Sequence, residues 1–420
     1  AGPDFHNLNN YGTMLLTQSD RSGEDEIKTA KFTLKKIIDL PAPTYVKVGG
    51  SMRQQDRILE NHARRHSYVG ADGVQNSADD NLGQFLDSTA KWTDSNEGYR
   101  QPPWANPFGV ARHAALYPNL WREDAAFTLT SQLNGDRHIT ETVSAGYLMG
   151  HTRLNALSIV AGLRAEETKT DAEGPVTIGT VRSRLRRTGD YVDLFPGVHF
   201  RYAPSRNFIS RLSYSSGIGR PSFDQLIPLD TVNETAQTVT IRNTGLQPQY
   251  SDNFDATVEY YFEPVGMVSA SAFLKELSGF QYTDRSQFVT SGQGNGFDGQ
   301  YEGYQIITAR NGGSARYRGF ELAYQQQFTF LPGFWRGFGL SANYPQLSTK
   351  GDYGGTTATT RVAGFVPKTA NVAVSYLGYG WNLRLNAVWR STYLVSVSTN
   401  PALLQYQEPK LQVNLKTKYT

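Results

Sequence analysis

Residues 254–262 read Phe-Asp-Ala-Thr-Val-Glu-Tyr-Tyr-Phe, a segment in which apolar and polar side chains alternate almost without exception. A short joint at 263–266 follows, and the alternation resumes with Val268, Ala270 and Ala272 on the apolar parity. Because successive side chains of a strand point to opposite faces, each segment presents one apolar and one polar face. The pattern predicts an all-β protein whose strands form the wall of a transmembrane antiparallel β-barrel, apolar toward lipid and polar toward the lumen.

The composition agrees with such a wall. The 420 residues have a mean hydropathy of -0.48 and contain no stretch close to the roughly 20 apolar residues of a membrane helix. Aromatic residues make up 12% of the chain, which suits the interfacial girdles of membrane barrels. A net charge of +3 is too small to indicate nucleic-acid binding. The absence of cysteine excludes disulfides, thiolate catalysis and Cys-ligated zinc, and is consistent with an exported bacterial protein.

Alternating segments of about ten residues recur along the chain, and the joints between them are alternately short and long. We expect one barrel domain in which 1–26 form a loop, 27–57 a strand pair, 58–138 a long extracellular loop and 139–420 the remaining strands. The short joints contain turn-forming residues and are expected on the periplasmic side. They lie at 41–43, near His151, and at 204–206, 263–266, 331–334 and 378–380.

The parity of the joints constrains the strand count. If short and long joints lie on opposite sides of the membrane, an even number of strands must separate successive short joints. We therefore interpret 301–328 as one long strand, bulged at the glycines 312–313. About 13 strands result, and because known bacterial single-chain barrels have even counts, we expect this wall to continue in residues outside the sequence.

Several short segments from about residue 139 onward carry a family resemblance. They are Tyr-Val-Asp-Leu-Phe-Pro at 191–196, Arg-Pro-Ser-Phe at 220–223, Asn-Thr-Gly-Leu-Gln-Pro at 243–248, Glu-Tyr-Tyr at 259–261, Gly-Phe-Glu at 319–321, Ala-Asn-Tyr at 342–344 and Val-Pro at 366–367. Taken together and in this order, they resemble the barrel of a TonB-dependent outer-membrane receptor.

The resemblance implies a 22-stranded barrel around an N-terminal plug, in the outer membrane of a Gram-negative bacterium. Such receptors import scarce ligands, namely iron-siderophores, cobalamin or glycans. The implied partners are outer-membrane lipid, TonB with ExbB and ExbD, a small-molecule or oligosaccharide ligand, and accessory outer-membrane or surface lipoproteins. TonB acts through the plug, and we find no plug-like segment in these 420 residues.

Large aromatic residues are concentrated in the segment predicted as a long extracellular loop. Exposed aromatic rings stack on sugars and on catecholate siderophores, so we consider Trp92, Tyr99, Trp104 and Trp121 as ligand-binding candidates. Phe108 and Tyr117 lie in the same segment. The alternative is that so long a loop needs these rings for a small hydrophobic core of its own.

Charged residues on the polar parity of the strands form a second set of candidates. Facing the lumen, they either line the wall and dock a plug or contact the ligand directly. The set comprises Arg164, Glu166, Arg201, Arg211, Glu259, Glu321, Arg384 and Arg390.

Residues 72–81, Asp-Gly-Val-Gln-Asn-Ser-Ala-Asp-Asp-Asn, place short oxygen-bearing side chains around a glycine. Calcium takes six to eight oxygen ligands, and this segment resembles the calcium loops of thrombospondin-type repeats. Asp72, Asn76, Asp79 and Asp80 are therefore candidate ligands of a structural calcium. The alternative is a turn held by Asn and Asp side chains without a metal.

No arrangement of residues in the sequence resembles an active site, so we predict no enzymatic activity. The leading functional hypothesis is a receptor for TonB-dependent active import. The alternatives are a passive channel or structural barrel component of the outer membrane, and a secreted β-sandwich that binds glycans.

Overall fold

The structure is a computed structural model that describes residues 4, 6–89, 103–178, 181–263, 265–353, 357 and 359–420. The chain divides into two compact units. Unit 1 comprises Ala1–Glu26, Asp56–His138 and Glu173–Arg186, and unit 2 comprises Ile27–Gln55, Ile139–Ala172 and Arg187–Thr420. Because their boundaries fall within long strands, single strands contribute residues to both units.

Strands dominate the described residues. They are β1 (Leu15–Ile38), β2 (Thr44–Tyr68), β3 (Trp121–Glu123), β4 (Arg137–Leu154), β5 (Leu157–Ile178), β6 (Val181–Tyr202), β7 (Phe208–Gly219), β8 (Asp230–Asn233), β9 (Thr238–Ile241), β10 (Gln249–Phe262), β11 (Gly266–Ser278), β12 (Gln281–Phe288), β13 (Gln305–Asn311), β14 (Ser314–Gln327), β15 (Phe338–Gly351), β16 (Thr369–Gly378), β17 (Trp381–Arg390), β18 (Tyr393–Ser396), β19 (Gln405–Gln407) and β20 (Lys410–Tyr419).

Three α-helices accompany the strands within the described ranges: α1 (Pro107–Leu116), α2 (Ala125–Gly135) and α3 (Phe223–Leu226). Asn106 caps α1 through its side-chain oxygen, which accepts the Gly109 amide at 2.9 Å. Asp124 caps α2 in the same way. None of the helices in the described ranges is long and apolar enough to cross a membrane.

One large sheet contains fourteen of these strands. Its neighbours run in the order β1-β2-β4-β5-β6-β7-β10-β11-β14-β15-β16-β17-β20, with β3 beside β2. Two smaller sheets have the orders β12-β13-β9-β8 and β18-β19. With β3 set aside, the main path has thirteen strands, so the predicted all-β wall of about 13 strands is confirmed for the described residues.

The apolar and polar alternation at 254–262 is reflected in the register of this sheet. Val258 pairs with Ala270, and Tyr260 pairs with Val268, so apolar residues meet across neighbouring strands. Val258 and Tyr260 are 44% and 48% exposed, whereas the Glu259 side chain between them is only 16% exposed. The sheet therefore has an uncovered apolar face and an opposite polar face, the arrangement of a lipid-bounded wall.

Two-residue turns close the hairpins at two of the predicted short joints. Tyr379 and Gly380 join β16 to β17 with φ values of 51° and 80°, which are typical of a type I′ turn. The joint predicted near His151 lies instead at 155–156, between β4 and β5, where Asn155 has a φ of 53°. Asn is one of the residues that adopt the left-handed conformation most readily.

The predicted loop at 1–26 and strand pair at 27–57 have the wrong boundaries. β1 begins at Leu15 and β2 continues to Tyr68. The extensions are polar on both parities, so no alternation marks them, and polar cross-strand contacts join them instead. Ser22 Oγ donates to Glu60 at 3.0 Å, and Arg57 Nη2 lies 2.5 Å from Asp25 Oδ2.

The single loop predicted at 58–138 is also wrong, because strands, helices and a hydrophobic core occupy its described residues. The core of unit 1 consists of Met14, Tyr68, Phe85 and Trp121, each less than 10% exposed. The Tyr68 amide donates to the Met14 carbonyl at 3.0 Å, which ties the end of β2 to the residue before β1. The segment thus buries its own apolar side chains, as one of the two sequence interpretations required.

The merging of 301–328 into one bulged strand is wrong as well. Residues 305–311 form β13, which pairs with β12 and β9 in the four-stranded sheet, and β14 belongs to the main sheet. Gly312 permits the break, since a Cβ there would lie 2.5 Å from the buried ring of Phe280. β12 and β13 form a pair, and two added strands leave the number of strands between the short joints even. The parity of the joints therefore does not require one merged strand at 301–328.

Gly319 on β14 gives a test of this packing. A Cβ at this position would clash with the Gln346 carbonyl oxygen and lie 2.7 Å from the ring of Phe273, its partner on β11. We predict that Gly319→Ala lowers the free energy of unfolding by about 1–3 kcal/mol through overpacking. Urea unfolding in detergent micelles, followed by tryptophan fluorescence, measures the change.

Gly146→Ala on β4 is the matched control, because no atom lies within 4 Å of a Cβ at that position. Its stability should stay close to that of the unmodified chain. Equal losses for the two variants would contradict the packing of β14 against β11 and β15.

Candidate functional site

The polar face of unit 2 brings charged side chains from neighbouring strands together. Arg201 on β6 and Arg211 on β7 are register partners, so two like charges lie directly opposite each other. Glu259 on β10 accepts a hydrogen bond from Arg211 Nη1 and another, at 2.7 Å, from the Tyr261 hydroxyl. This carboxylate offsets the repulsion between the two arginines, and the three predicted residues form one cluster.

Glu166 on β5 is the centre of a second cluster. Its Oε1 accepts a hydrogen bond from Arg164 Nε at 2.5 Å, and its Oε2 accepts one from Arg220 Nη2 at 2.6 Å. Arg220 Nη2 also donates to Thr168 Oγ1 at 3.0 Å. The Glu166 and Arg220 side chains are 12% and 23% exposed, so water screens this ion pair less than a surface pair. Since β6 lies between β5 and β7, the contact joins β5 to the residue after β7, across one intervening strand.

Sequence reasoning missed two members of this second cluster, Arg220 and Thr168, and a buried carboxylate on β4, Glu141. Arg220 was noted only within a family segment, and Thr168 carries no charge. Glu141 precedes the first clearly alternating residues of β4, yet its residue is 5% exposed and its Oε1 lies 3.8 Å from Arg53 Nη1. Glu141 shares the odd-numbered positions of β4 with Val143 and Ala145, so alternation in the sequence does not mark it as a residue of the polar face.

The other predicted wall residues lie on the same face but outside these clusters. Glu321 on β14 lines a hollow with Asp255 and Lys275. Arg384 on β17 lines another with Tyr261. The Arg390 guanidinium lies 5.5 Å from the centre of the Tyr393 ring. Charges of both signs are therefore spread over the polar face, and only part of the set is brought together.

The predicted aromatic candidates of unit 1 have different environments. Trp104 is 47% exposed. Trp121 is 7% exposed, and its Nε1 donates to His113 Nδ1 at 3.2 Å inside the hydrophobic core, so its ring is not available to a ligand. Trp92 and Tyr99 lie outside the described residues. The structure adds Phe108 at the start of α1, which is 85% exposed. Trp104 and Phe108 are called the aromatic pair below.

The four candidate calcium ligands do not converge as one group. Asp72 Oδ1 accepts the Val74 amide at 2.8 Å, and Asn76 Oδ1 accepts the Thr13 hydroxyl at 2.7 Å. Asp79 and Asp80 approach the same point above Gly70. Hydrogen bonds from the Ser77 hydroxyl and the Ala71 amide lower the pKa of Asp79. Within the described ranges, no three His, Cys, Asp or Glu side chains cluster closely enough to hold a metal ion.

Comparison with known proteins gives a family and a fold. The sequence matches the family described as TonB dependent receptor-like, beta-barrel, over residues 6–420. No curated protein sequence matches it.

Several solved structures share this fold at low sequence identity. The ferric citrate transporter FecA, in its unliganded form, has a TM-score of 0.56 and 13% identity, over 96% of this chain and 48% of FecA. The ferric yersiniabactin uptake receptor FyuA of Yersinia pestis has a TM-score of 0.54 and 10% identity, over 96% of this chain and 48% of FyuA. The siderophore receptor PiuA of Acinetobacter baumannii has a TM-score of 0.56 and 13% identity, over 95% of this chain and 50% of PiuA.

The chain spans about half the length of these structures. Identities this low show the fold alone. Together with the family match, they confirm that the main sheet is a wall of the antiparallel β-barrel type predicted from the alternation.

The Glu166–Arg220 pair gives a prediction about this face. In a double-mutant cycle with Glu166→Gln and Arg220→Gln, we expect a coupling free energy of about 1–3 kcal/mol, because Glu166→Gln leaves Arg220 without its carboxylate and Arg220→Gln leaves Glu166 paired with Arg164 alone. Urea unfolding in detergent micelles provides the four free energies.

The exposed pair Arg316–Glu276 is the matched control. Its N···O distance is 2.6 Å, like that of the Glu166–Arg220 pair, but its side chains are 54% and 39% exposed. Its coupling should stay under about 1 kcal/mol. A coupling for Glu166–Arg220 no larger than this would show that the shielding has no energetic effect.

Proposed function

The chain belongs to the TonB-dependent receptor-like β-barrel family, and we propose that it supplies barrel wall to a receptor in the outer membrane of a Gram-negative bacterium. The receptor imports a scarce ligand, with energy delivered through TonB, ExbB and ExbD. The observation that carries the proposal is the family match across 6–420. The contribution of this chain is binding and passage rather than covalent chemistry.

The two faces of the main sheet support this role. The apolar face suits contact with outer-membrane lipid. Neighbouring strands satisfy each other's backbone hydrogen bonds, which strands that cross a bilayer require. The polar face carries paired charges, among them Arg211 with Glu259 and Arg220 with Glu166. Paired groups keep a polar lumen from holding one large net charge, and they give a plug hydrogen-bonding partners along the wall.

We propose an iron-siderophore as the first ligand class to test, with cobalamin and glycans as the other classes. Three solved structures that share the fold are described as a ferric citrate transporter, a ferric yersiniabactin uptake receptor and a siderophore receptor. These descriptions guide the choice of the first assay. The uptake experiment below identifies the ligand of this receptor.

Trp104 and Phe108 support a binding role for unit 1. Trp104 is 47% exposed and Phe108 is 85% exposed, so a flat aromatic or sugar ring can stack on either ring at little conformational cost. We propose that this aromatic pair makes the first contacts with the ligand. Trp121, which is buried, has a structural role in the proposal.

The natural receptor that contains this wall should take up its ligand only when the membrane is energised. We predict that cells expressing it accumulate a radiolabelled ferric siderophore, and that a protonophore or loss of TonB reduces uptake to background. Cells lacking the receptor are the control. Uptake that persists without TonB would replace the proposal with a passive channel, and energised uptake of oligosaccharide alone would reassign the ligand class.

Replacement of the aromatic pair should weaken ligand capture without unfolding the wall. We predict that the Trp104→Ala, Phe108→Ala double variant raises the half-saturating ligand concentration about tenfold, because each lost stacking contact is worth about 0.5–1.5 kcal/mol. Trp121→Ala is the contrasting variant and should lower the free energy of unfolding by about 3–5 kcal/mol. Unchanged half-saturation in the double variant would remove the pair from the binding site.

A further inference from the structure

The loop that follows β2 in unit 1 is held at both ends. The Val69 amide donates to the Leu120 carbonyl at 2.9 Å, and the Leu82 amide donates to the Tyr11 carbonyl at 3.1 Å. The Thr13 hydroxyl donates to Asn76 within the loop. These contacts fix residues 70–81 beside the segment that leads into β1.

Asp80 is the unusual residue of this loop. Only 2% of its surface is exposed. Its Oδ2 accepts the Ser77 amide at 3.2 Å, but its Oδ1 is buried and accepts no hydrogen bond from any described residue. A buried carboxylate oxygen without a partner costs several kcal/mol in free energy unless a cation compensates its charge.

A second carboxylate oxygen faces the same point. Gly70 has a φ of 57°, and a Cβ built on it would clash with Asp79 Oδ2 and lie 3.0 Å from Asp80 Oδ1. Two anionic oxygens that converge in this way repel each other. Neither carboxylate forms an ion pair within the described residues. The cationic group that contacts this loop, the Arg122 guanidinium, donates to the Gly73 carbonyl at 2.6 Å instead.

We propose that residues 70–81 bind one calcium ion between Asp79 Oδ2 and Asp80 Oδ1. The donor set is all oxygen, which suits calcium rather than zinc. An irregular loop meets the flexible geometry of calcium more readily than the strict octahedron of magnesium. Backbone carbonyls, neutral side chains and water complete the shell, because the site has only two carboxylates. Asp79 Oδ2 also accepts the Ala71 amide at 3.0 Å, and its second lone pair is directed to the ion.

The ion would stabilise the fold of unit 1. Asp79 and Asp80 lie between the end of β2 and the Tyr11 anchor, next to the core that contains Tyr68 and Trp121. Calcium at this point ties the entry of β1 to that core. With two carboxylates we expect weak binding, in the range of about 10⁻⁴–10⁻³ M found for extracellular calcium modules.

Calcium titration of the full chain in detergent micelles, after treatment with a chelator, tests the site. Equilibrium dialysis with radiolabelled calcium gives the stoichiometry, and thermal unfolding with and without calcium measures the stabilisation. We expect one saturable ion per chain and a higher melting temperature in calcium. Magnesium at the same concentration should have a much smaller effect.

Asp80→Asn separates a metal site from a purely structural turn. It keeps the shape of the side chain but removes the buried charge, so the metal-free variant should be at least as stable as the metal-free natural chain. Its calcium affinity should fall at least about tenfold. Asp124→Asn is the matched control in the same unit, because Asn caps α2 as well as Asp does, and its calcium affinity should be unchanged.

Either of two results overturns the proposal. One is the absence of stoichiometric binding by the natural chain up to about 10 mM calcium, tenfold above the expected range. The other is calcium binding by Asp80→Asn with the affinity of the natural chain. Neither result depends on which ligand the receptor imports, so the import proposal stands or falls separately.

Discussion

The structure depends on one constraint: strands that cross lipid must satisfy every backbone amide and carbonyl through their neighbours. Hydrogen bonds along the main sheet do this for the strands between β1 and β20, and they leave only the side chains to distinguish the two faces. Apolar residues such as Val258 and Tyr260 fall on one face, and charged residues such as Glu259 fall on the other. The charge clusters of the polar face follow directly from this arrangement, because adjacent strands bring residues of the same parity within reach of one another.

The same constraint explains which strands could be predicted from the sequence. Alternation identified the strands of the main sheet and most of its short turns, since a sheet with one apolar face requires it. It failed where the strands have no such face: the polar first half of β1, the extension of β2 and the hairpin of β12 and β13 have no apolar parity to recognise. A strand of the four-stranded sheet is also indistinguishable, residue by residue, from a strand of the wall.

The candidate sites were predictable to a smaller extent. Parity placed Arg164, Glu166, Arg211 and Glu259 on the polar face, but which charges pair depends on register and side-chain length, which a single sequence does not reveal. Composition marked the aromatic segment of unit 1 without separating the exposed Phe108 from the buried Trp121. In the same way, it marked residues 72–81 as oxygen-rich, while only the structure distinguished the shielded Asp80 from the exposed Asp72.

The contact between Glu166 and Arg220 also affects how the sheet responds to force. Backbone hydrogen bonds connect each strand only to its immediate neighbours, whereas this pair connects β5 with the residue after β7, across β6. Sliding of β5 relative to β7 would stretch this ion pair, although β6, which lies between them, does not contribute to it. The pair therefore resists shear along these three strands and helps to keep their register when a force acts along the sheet.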